Sequence, residues 1–183
     1  MPYYYLAAQL PCLDYRQAAP MSSHAFRELA ETFLRADDAV WLDRCVIYSD
    51  AANASEKGLP DFFIHWYEWE QALRLNLARW RSARLKRDIS FAAPDYPKDA
   101  VVAAKAASVM DSPFEAELFL DEARWQAIDS FQGFDCFNRN AIYAYFLKLQ
   151  LLERRSRFML DNGLTEYTDL YTTIMEAGGR SFI

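Results

Sequence analysis

The chain has 183 residues, 52% of them apolar and 25% charged, a globular balance that excludes wholesale disorder. Twenty basic against 26 acidic residues leave a net charge of −6, which excludes a free nucleic-acid binder because phosphate contacts need a basic footprint. Five glycines exclude a glycine-rich phosphate loop and argue against a turn-rich β-sandwich, whereas 13 Phe, 11 Tyr and 5 Trp supply ample core material.

A chain of this length buries roughly 70% of its unfolded surface, so a core needs no metal or disulfide staple. Tyr3 to Leu10 end at Pro11. Tyrosine favours strands, but a lone strand has nothing to pair with, so this segment is an extended lead-in or a first helical turn packed on the core. A first helix is expected near 22–36, capped by Ser22 or Ser23, with Phe26, Leu29, Ala30, Phe33 and Leu34 on one face. Asp37 or Asp38 then caps a second helix carrying Val40, Trp41, Val46 and Ile47, and residues 53–60 have loop composition.

The third helix, about 61–87, is capped by Asp61. Phe62, Trp66, Trp69, Leu73, Leu77 and Trp80 fall within about 80° of one another on the helical wheel, a narrow seam for one or two neighbouring helices. Residues 88–97 hold Pro94 and Pro97 and are the one place for a domain boundary, although similar aromatic richness on both sides favours a single domain. An alanine-rich helix is expected near 98–110. The next begins with Ser112-Pro113-Phe114-Glu115, a capping box with proline at the first helical position, and runs through Leu118, Phe119 and Trp125 to Gly133. A helix near 138–161 carries two apolar stripes. Ile142, Tyr145, Leu149, Leu152 and Met159 form one, and Tyr143, Leu147, Leu151 and Phe158 the other, which places it at the centre of the bundle. Asn162-Gly163 ends it, and a last helix over 165–177 closes at Gly178-Gly179. The fold class is all-α: a single-domain bundle of six or seven helices with a short extended N-terminal segment.

Catalytic chemistry finds little to work with. His65 and Glu68 share a helix face but lack a third ligand, and the chain has no Glu-x-x-His, so no di-iron site is expected. No Gly-x-Ser-x-Gly elbow and no Walker phosphate loop occurs. Asp37-Asp38 and Asp121-Glu122 read as caps or solvated helix faces rather than a magnesium cluster. Cys12, Cys45 and Cys136 have no metal-site spacing; Cys45 and Cys136 lie beside apolar residues and are expected to be packed, reduced thiols. No cofactor or metal is therefore expected. No secretory leader opens the sequence and no apolar run reaches the roughly 18 residues of a membrane span, so the expected location is cytoplasmic, with any membrane contact made through partners. Residues 61–87 carry six basic side chains against three acids, in helical positions that spread around the axis. That distribution suits arginines snorkelling around a buried seam, and a protein partner suits it better than a polynucleotide.

The opening Tyr3-Tyr4-Tyr5-Leu6-Ala7-Ala8-Gln9-Leu10-Pro11 resembles the start of a small bacterial family encoded within the operons of V-type (A/V-type) ATP synthases. The likeness continues through Phe62-Phe63, Trp66, Trp69-Glu70, Leu73-Arg74 and Ala78-Arg79. It returns in Ser112-Pro113-Phe114-Glu115-Ala116-Glu117 and in Ala144-Tyr145 with Lys148-Leu149-Gln150-Leu151-Leu152-Glu153-Arg154. The helix from Trp69 to Arg81 is also similar to part of the V-type ATPase helical cap, the piece that joins rotor shaft to membrane ring, although the related helical lobes of that cap exceed this chain's length. The resemblance implies a non-catalytic accessory or cap-like structural component of a V-type ATPase, acting through protein–protein contacts. Tyr3, Tyr4, Arg74, Arg79, Arg81, Arg84 and Arg87 are then the candidate partner-binding residues. The alternatives are a free-standing helical adaptor or assembly factor, and a small enzyme with a pocket between helices that uses acids such as Asp121 and Glu122.

Overall fold

The computed structural model describes residues 3–48, 58–86 and 92–158. Among them are seven helices and no strand: α1 (Tyr4–Gln9), α2 (Ser23–Glu31), α3 (Ala36–Asp43), α4 (Asp61–Arg84), α5 (Lys98–Ser108), α6 (Pro113–Gln132) and α7 (Arg139–Phe158). The chain is all-α. Of the two readings of residues 3–10 the helical one holds, since Leu6 plugs the core while Tyr4 and Tyr5 face outward. The expected loop over 53–57, Met159, the helix over 165–177 and the tail lie outside the described residues.

Local chemistry sets most helix ends. Ser22 Oγ accepts from Ala25 N–H at 3.1 Å and starts α2, and Ser112 Oγ accepts from Glu115 N–H at 3.3 Å and starts α6. Two expected caps are corrected. Arg35 and Pro60 occupy the cap positions of α3 and α4, while Asp37, Asp38 and Asp61 fall in the first turns. An acid there is favoured by the helix dipole without a cap hydrogen bond. The second helix is also shorter than expected, ending at Asp43 before Val46 and Ile47. Gly133 closes α6 at φ 75° and ψ −166°, backbone that essentially only glycine adopts.

Helices α4, α5, α6 and α7 form the body, with α4 against both α5 and α6, and α7 against α6; α2 and α3 also pack on α7. The central position expected for α7 is therefore realised. Tyr143, Phe146, Leu147, Leu149 and Leu151 are all buried, and Tyr143 meets Phe62 and Phe63 of α4. The α4 seam is buried from Phe62 to Leu77, and Trp80 is partly covered. The buried face is wider than six residues, because Phe63, Tyr67, Glu70, Ala72 and Asn76 are enclosed as well. Burying each such aromatic contributes roughly 1.5–3 kcal/mol. Residues before and after the 88–97 connection share one hydrophobic core. Trp69 Nε1–H donates to Asp99 at 2.7 Å across that junction, and Asn76 Nδ2–H donates to the Pro94 carbonyl within it at 2.8 Å.

Candidate interaction surface

Three clusters hold the chemistry-bearing residues. The first is inside. Arg124 donates from Nε and Nη2 to both carboxylate oxygens of Glu70, at 3.0 and 3.2 Å, and from Nη1 to Asp121 at 2.9 Å. Asp121 also accepts from Arg154, which reaches Glu117 at 2.8 Å, and Glu117 lies 3.6 Å from Arg81 at the surface. The Glu70, Asp121 and Arg124 side chains are at most 4% exposed, whereas Arg81 is 57% exposed. Three carboxylates and three guanidiniums thus run as a ladder from core to solvent, joining α4, α6 and α7. Burial pushes the Glu70 and Asp121 carboxyls up from their ordinary values, against the pull of Arg124. Burial alone would lower the Arg124 guanidinium, but the charge and hydrogen bonds of Glu70 hold it above its usual value. Asp121 is therefore no solvated face, as the sequence suggested, and its oxygens are engaged by arginines.

The second cluster explains Tyr3. This residue is buried, and its hydroxyl donates to Asp38, which also accepts from the Tyr143 hydroxyl at 3.2 Å and lies 3.8 Å from Arg139. Burial, reinforced by Asp38, pushes the Tyr3 phenol up to about 12, and the same causes raise Tyr143. Tyr3 is thus withdrawn from the surface where a partner was expected to meet it: it anchors α1. Its backbone N–H donates to the Phe137 carbonyl, which fixes α1 against the α6–α7 connection.

That anchorage assembles the third cluster. Tyr4 stands next to Phe137, ring centroids 4.8 Å apart; Tyr5 follows in α1, and Phe134 precedes in the same connection. All four rings are exposed, Phe134 completely. Asp135 Oδ1 accepts from Phe137 N–H at 2.9 Å and sets the turn that carries both phenylalanines. Two open grooves draw on α1 or its following segment and on the α6–α7 connection. One, of about 440 Å³, is polar, between Arg35, Asp37, Asp38, Asp135, Asn138 and Arg139, with Tyr4 on its rim. The other, of about 320 Å³, is lined chiefly by apolar residues including Leu10, Ala141, Ile142 and Tyr145.

The structure does not bring the α4 arginines to this surface. Arg79 lies 3.9 Å from Asp95 and over the Trp80 ring, Arg81 is at Glu117, and Arg84 Nη1–H donates to the Ser108 carbonyl at 3.2 Å. Arg74 sits close enough to Glu70 to lower its carboxyl, and Arg87 lies outside the described residues. Arg74, Arg79, Arg81 and Arg84 thus each meet a group of their own fold. His65 and Glu68 are both exposed, and among the described residues no group of three histidine, cysteine or acidic side chains is placed to hold a metal. No helix of the described residues is long and apolar enough to cross a membrane.

Phe134, Phe137 and the buried ion ladder were not singled out from sequence. Phe134 and Phe137 flank Gly133 and Asp135, turn residues that place a connection there, and aromatic residues in a connection are the available signal. No family model matches the chain, and no curated protein or solved structure matches it either. Fold and surface define a class only: a helical bundle with an aromatic-filled core and exposed aromatic residues where α1 meets the α6–α7 connection.

Proposed function

We propose that this chain is a non-catalytic helical protein that works by binding another protein through the Tyr4, Tyr5, Phe134 and Phe137 cluster. The observation that carries this reading is the exposed Tyr4–Phe137 ring pair at a hydrogen-bonded junction, with Tyr5 and Phe134 exposed beside them in the sequence, because exposed aromatic patches mark recognition surfaces. Two features support the non-catalytic part. Trp66, Trp69, Phe26, Phe62, Phe63 and Tyr143 fill the space between helices, and the buried acids are engaged by arginines and tyrosines of the fold. The sequence resemblance alone supports naming the partner, a V-type ATPase in which the chain serves as an accessory or cap-like component.

The test is co-purification of the tagged chain from gently solubilised native membranes, with gradient sedimentation and mass spectrometry, run beside a Tyr4→Ala/Phe134→Ala variant. Stoichiometric migration with the nucleotide-binding subunits and the membrane ring supports a resident component. Recovery with partial subcomplexes makes it an assembly factor instead, and recovery of no V-type ATPase protein overturns the V-type assignment. The variant should keep its unfolding free energy within about 0.5 kcal/mol, because the removed rings are exposed. It should also lose the partner; undiminished recovery by a folded variant overturns the surface.

A further inference from the structure

Two of the three cysteines face one groove. Cys12 and Cys136 are exposed and only Cys45 is buried, which corrects the expectation of a packed Cys136. Both exposed residues line the groove of about 320 Å³ beside the aromatic cluster, Cys12 from the irregular segment after α1 and Cys136 from the α6–α7 connection. Hydrogen bonds hold the neighbours of each to the same part of the fold. The Tyr145 hydroxyl donates to the carbonyl of Pro11, next to Cys12, at 3.0 Å, and the carbonyl of Phe137, next to Cys136, accepts from Tyr3 N–H. Each thiol has only a long local contact, 3.8 Å to the carbonyl of Leu13 or of Phe134. Both thiols enter the groove from segments outside the helices, and a bridge requires their Cα atoms to come within roughly 4.4–6.8 Å of one another.

We propose that Cys12 and Cys136 form a reversible disulfide that ties the N-terminal segment to the α6–α7 connection. The oxidant is a low-molecular-weight disulfide of the glutathione type. One cysteine thiolate attacks its S–S bond, forming a mixed disulfide and releasing one small thiolate. The second cysteine thiolate then attacks the protein sulfur of that mixed disulfide and expels the other small thiolate. Two protein thiols are oxidised, one small disulfide is reduced to two thiols, and the protons from the cysteines pass through solvent to the departing thiolates. Cys45, enclosed beneath α7 and raised well above its ordinary value by burial, stays out of the exchange. The bond fixes the connection that carries Phe134 and Phe137 relative to α1, and it stands whether or not those rings bind a partner.

The experiment equilibrates the full chain with glutathione disulfide and glutathione, quenches free thiols by alkylation, and maps the peptides without reduction. The expected product is a Cys12–Cys136 linked peptide with Cys45 alkylated, whereas Cys12→Ser and Cys136→Ser each stop at a mixed disulfide on the remaining exposed cysteine. With an effective concentration on the order of 1 mM, the linked form should outnumber the singly modified form about tenfold at roughly 0.1 mM glutathione. Independent modification of both cysteines with no linked peptide overturns the proposal, because the thiols then do not reach one another. A link found only between chains, as a covalent dimer on a non-reducing gel, overturns it equally.

Discussion

Asp38 is a carboxylate held by two phenols, and burial of those phenols, reinforced by Asp38, makes the molecule sensitive to alkali. Unfolded tyrosine titrates near pH 10, whereas in the fold Tyr3 keeps its proton up to about 12, and Tyr143 is raised as well. Between those values the unfolded chain binds fewer protons than the native one, so stability falls as pH rises, having been fully present below about pH 10. The urea midpoint should therefore be flat on the neutral side and drop above about pH 10, and Tyr143→Phe should flatten that drop. An unchanged alkaline slope in the variant would exclude Tyr143 as one of its sources. The Arg124 ladder makes a second prediction. Arg124→Met leaves Glu70 and Asp121 buried without their shared cation and should cost about 3–5 kcal/mol in urea unfolding. Replacing all three by apolar residues, Glu70→Leu, Asp121→Leu and Arg124→Met, should recover most of that loss; no recovery would mean that the ladder does more than neutralise itself. Part of this cluster was legible. Glu70 falls about 20° beyond the edge of the α4 seam, and Arg124 lies in the four-residue register of Ala116, Leu120 and Ile128. That Glu70 meets Arg124 was not legible, because local spacing says nothing about which helices become neighbours.

At the scale of elements, the helices were the most readable part of the chain, for a reason visible in their ends. Ser112 starts α6 with a bond made within a turn of the backbone and Gly133 ends it by its left-handed φ, and both fall where the sequence places them. Asp37 and Asp61 misled because an acid in the first turn gains from the helix dipole without capping it, and the two roles look alike in sequence. Residues 3–10 admit two readings from sequence because tyrosine's strand preference is a weak prior, and burial of Tyr3 and Leu6 goes with the helical one. Gly133 offers a clean test of the backbone term. A Cβ there would meet nothing within 4 Å, so Gly133→Ala carries no clash and its cost is conformational alone. The expected loss is about 1–3 kcal/mol by chemical unfolding, and a loss below about 0.5 kcal/mol would show that the α6–α7 connection relaxes freely. Such relaxation would also weaken the case that Phe134 is held in place for a partner.

On the scale of the whole molecule, the question is whether the residues flanking 88–97 behave as one body. The sequence could only weigh composition on either side, and composition is blind to contact. In the fold α4 packs along α5, Trp69 hydrogen-bonds across the junction and Asn76 to Pro94 within it, and Arg84 reaches the Ser108 carbonyl at the far end of α5. The Glu70–Arg124 pair then links α4 to α6, and Arg154 carries the link to α7. No helix of this body can leave without exposing apolar surface on two others, which is the physical condition for all-or-none unfolding. The five tryptophans report on it from α3, α4 and α6, since Trp41, Trp66, Trp69, Trp80 and Trp125 all lie in those helices. Their fluorescence and the far-ultraviolet dichroism of the whole helical set should trace one coincident urea transition. Two separated transitions would instead mean that α1 to α4 can unfold while α5 to α7 stay packed, which the shared core and the charge ladder both oppose. The Arg124→Met variant sharpens the test, because it removes the buried Glu70–Arg124 link between α4 and α6 while leaving the apolar contacts in place. If packing alone secures cooperativity, the variant unfolds earlier yet still in one step; if the ladder is what couples α4 to α6, the two signals separate.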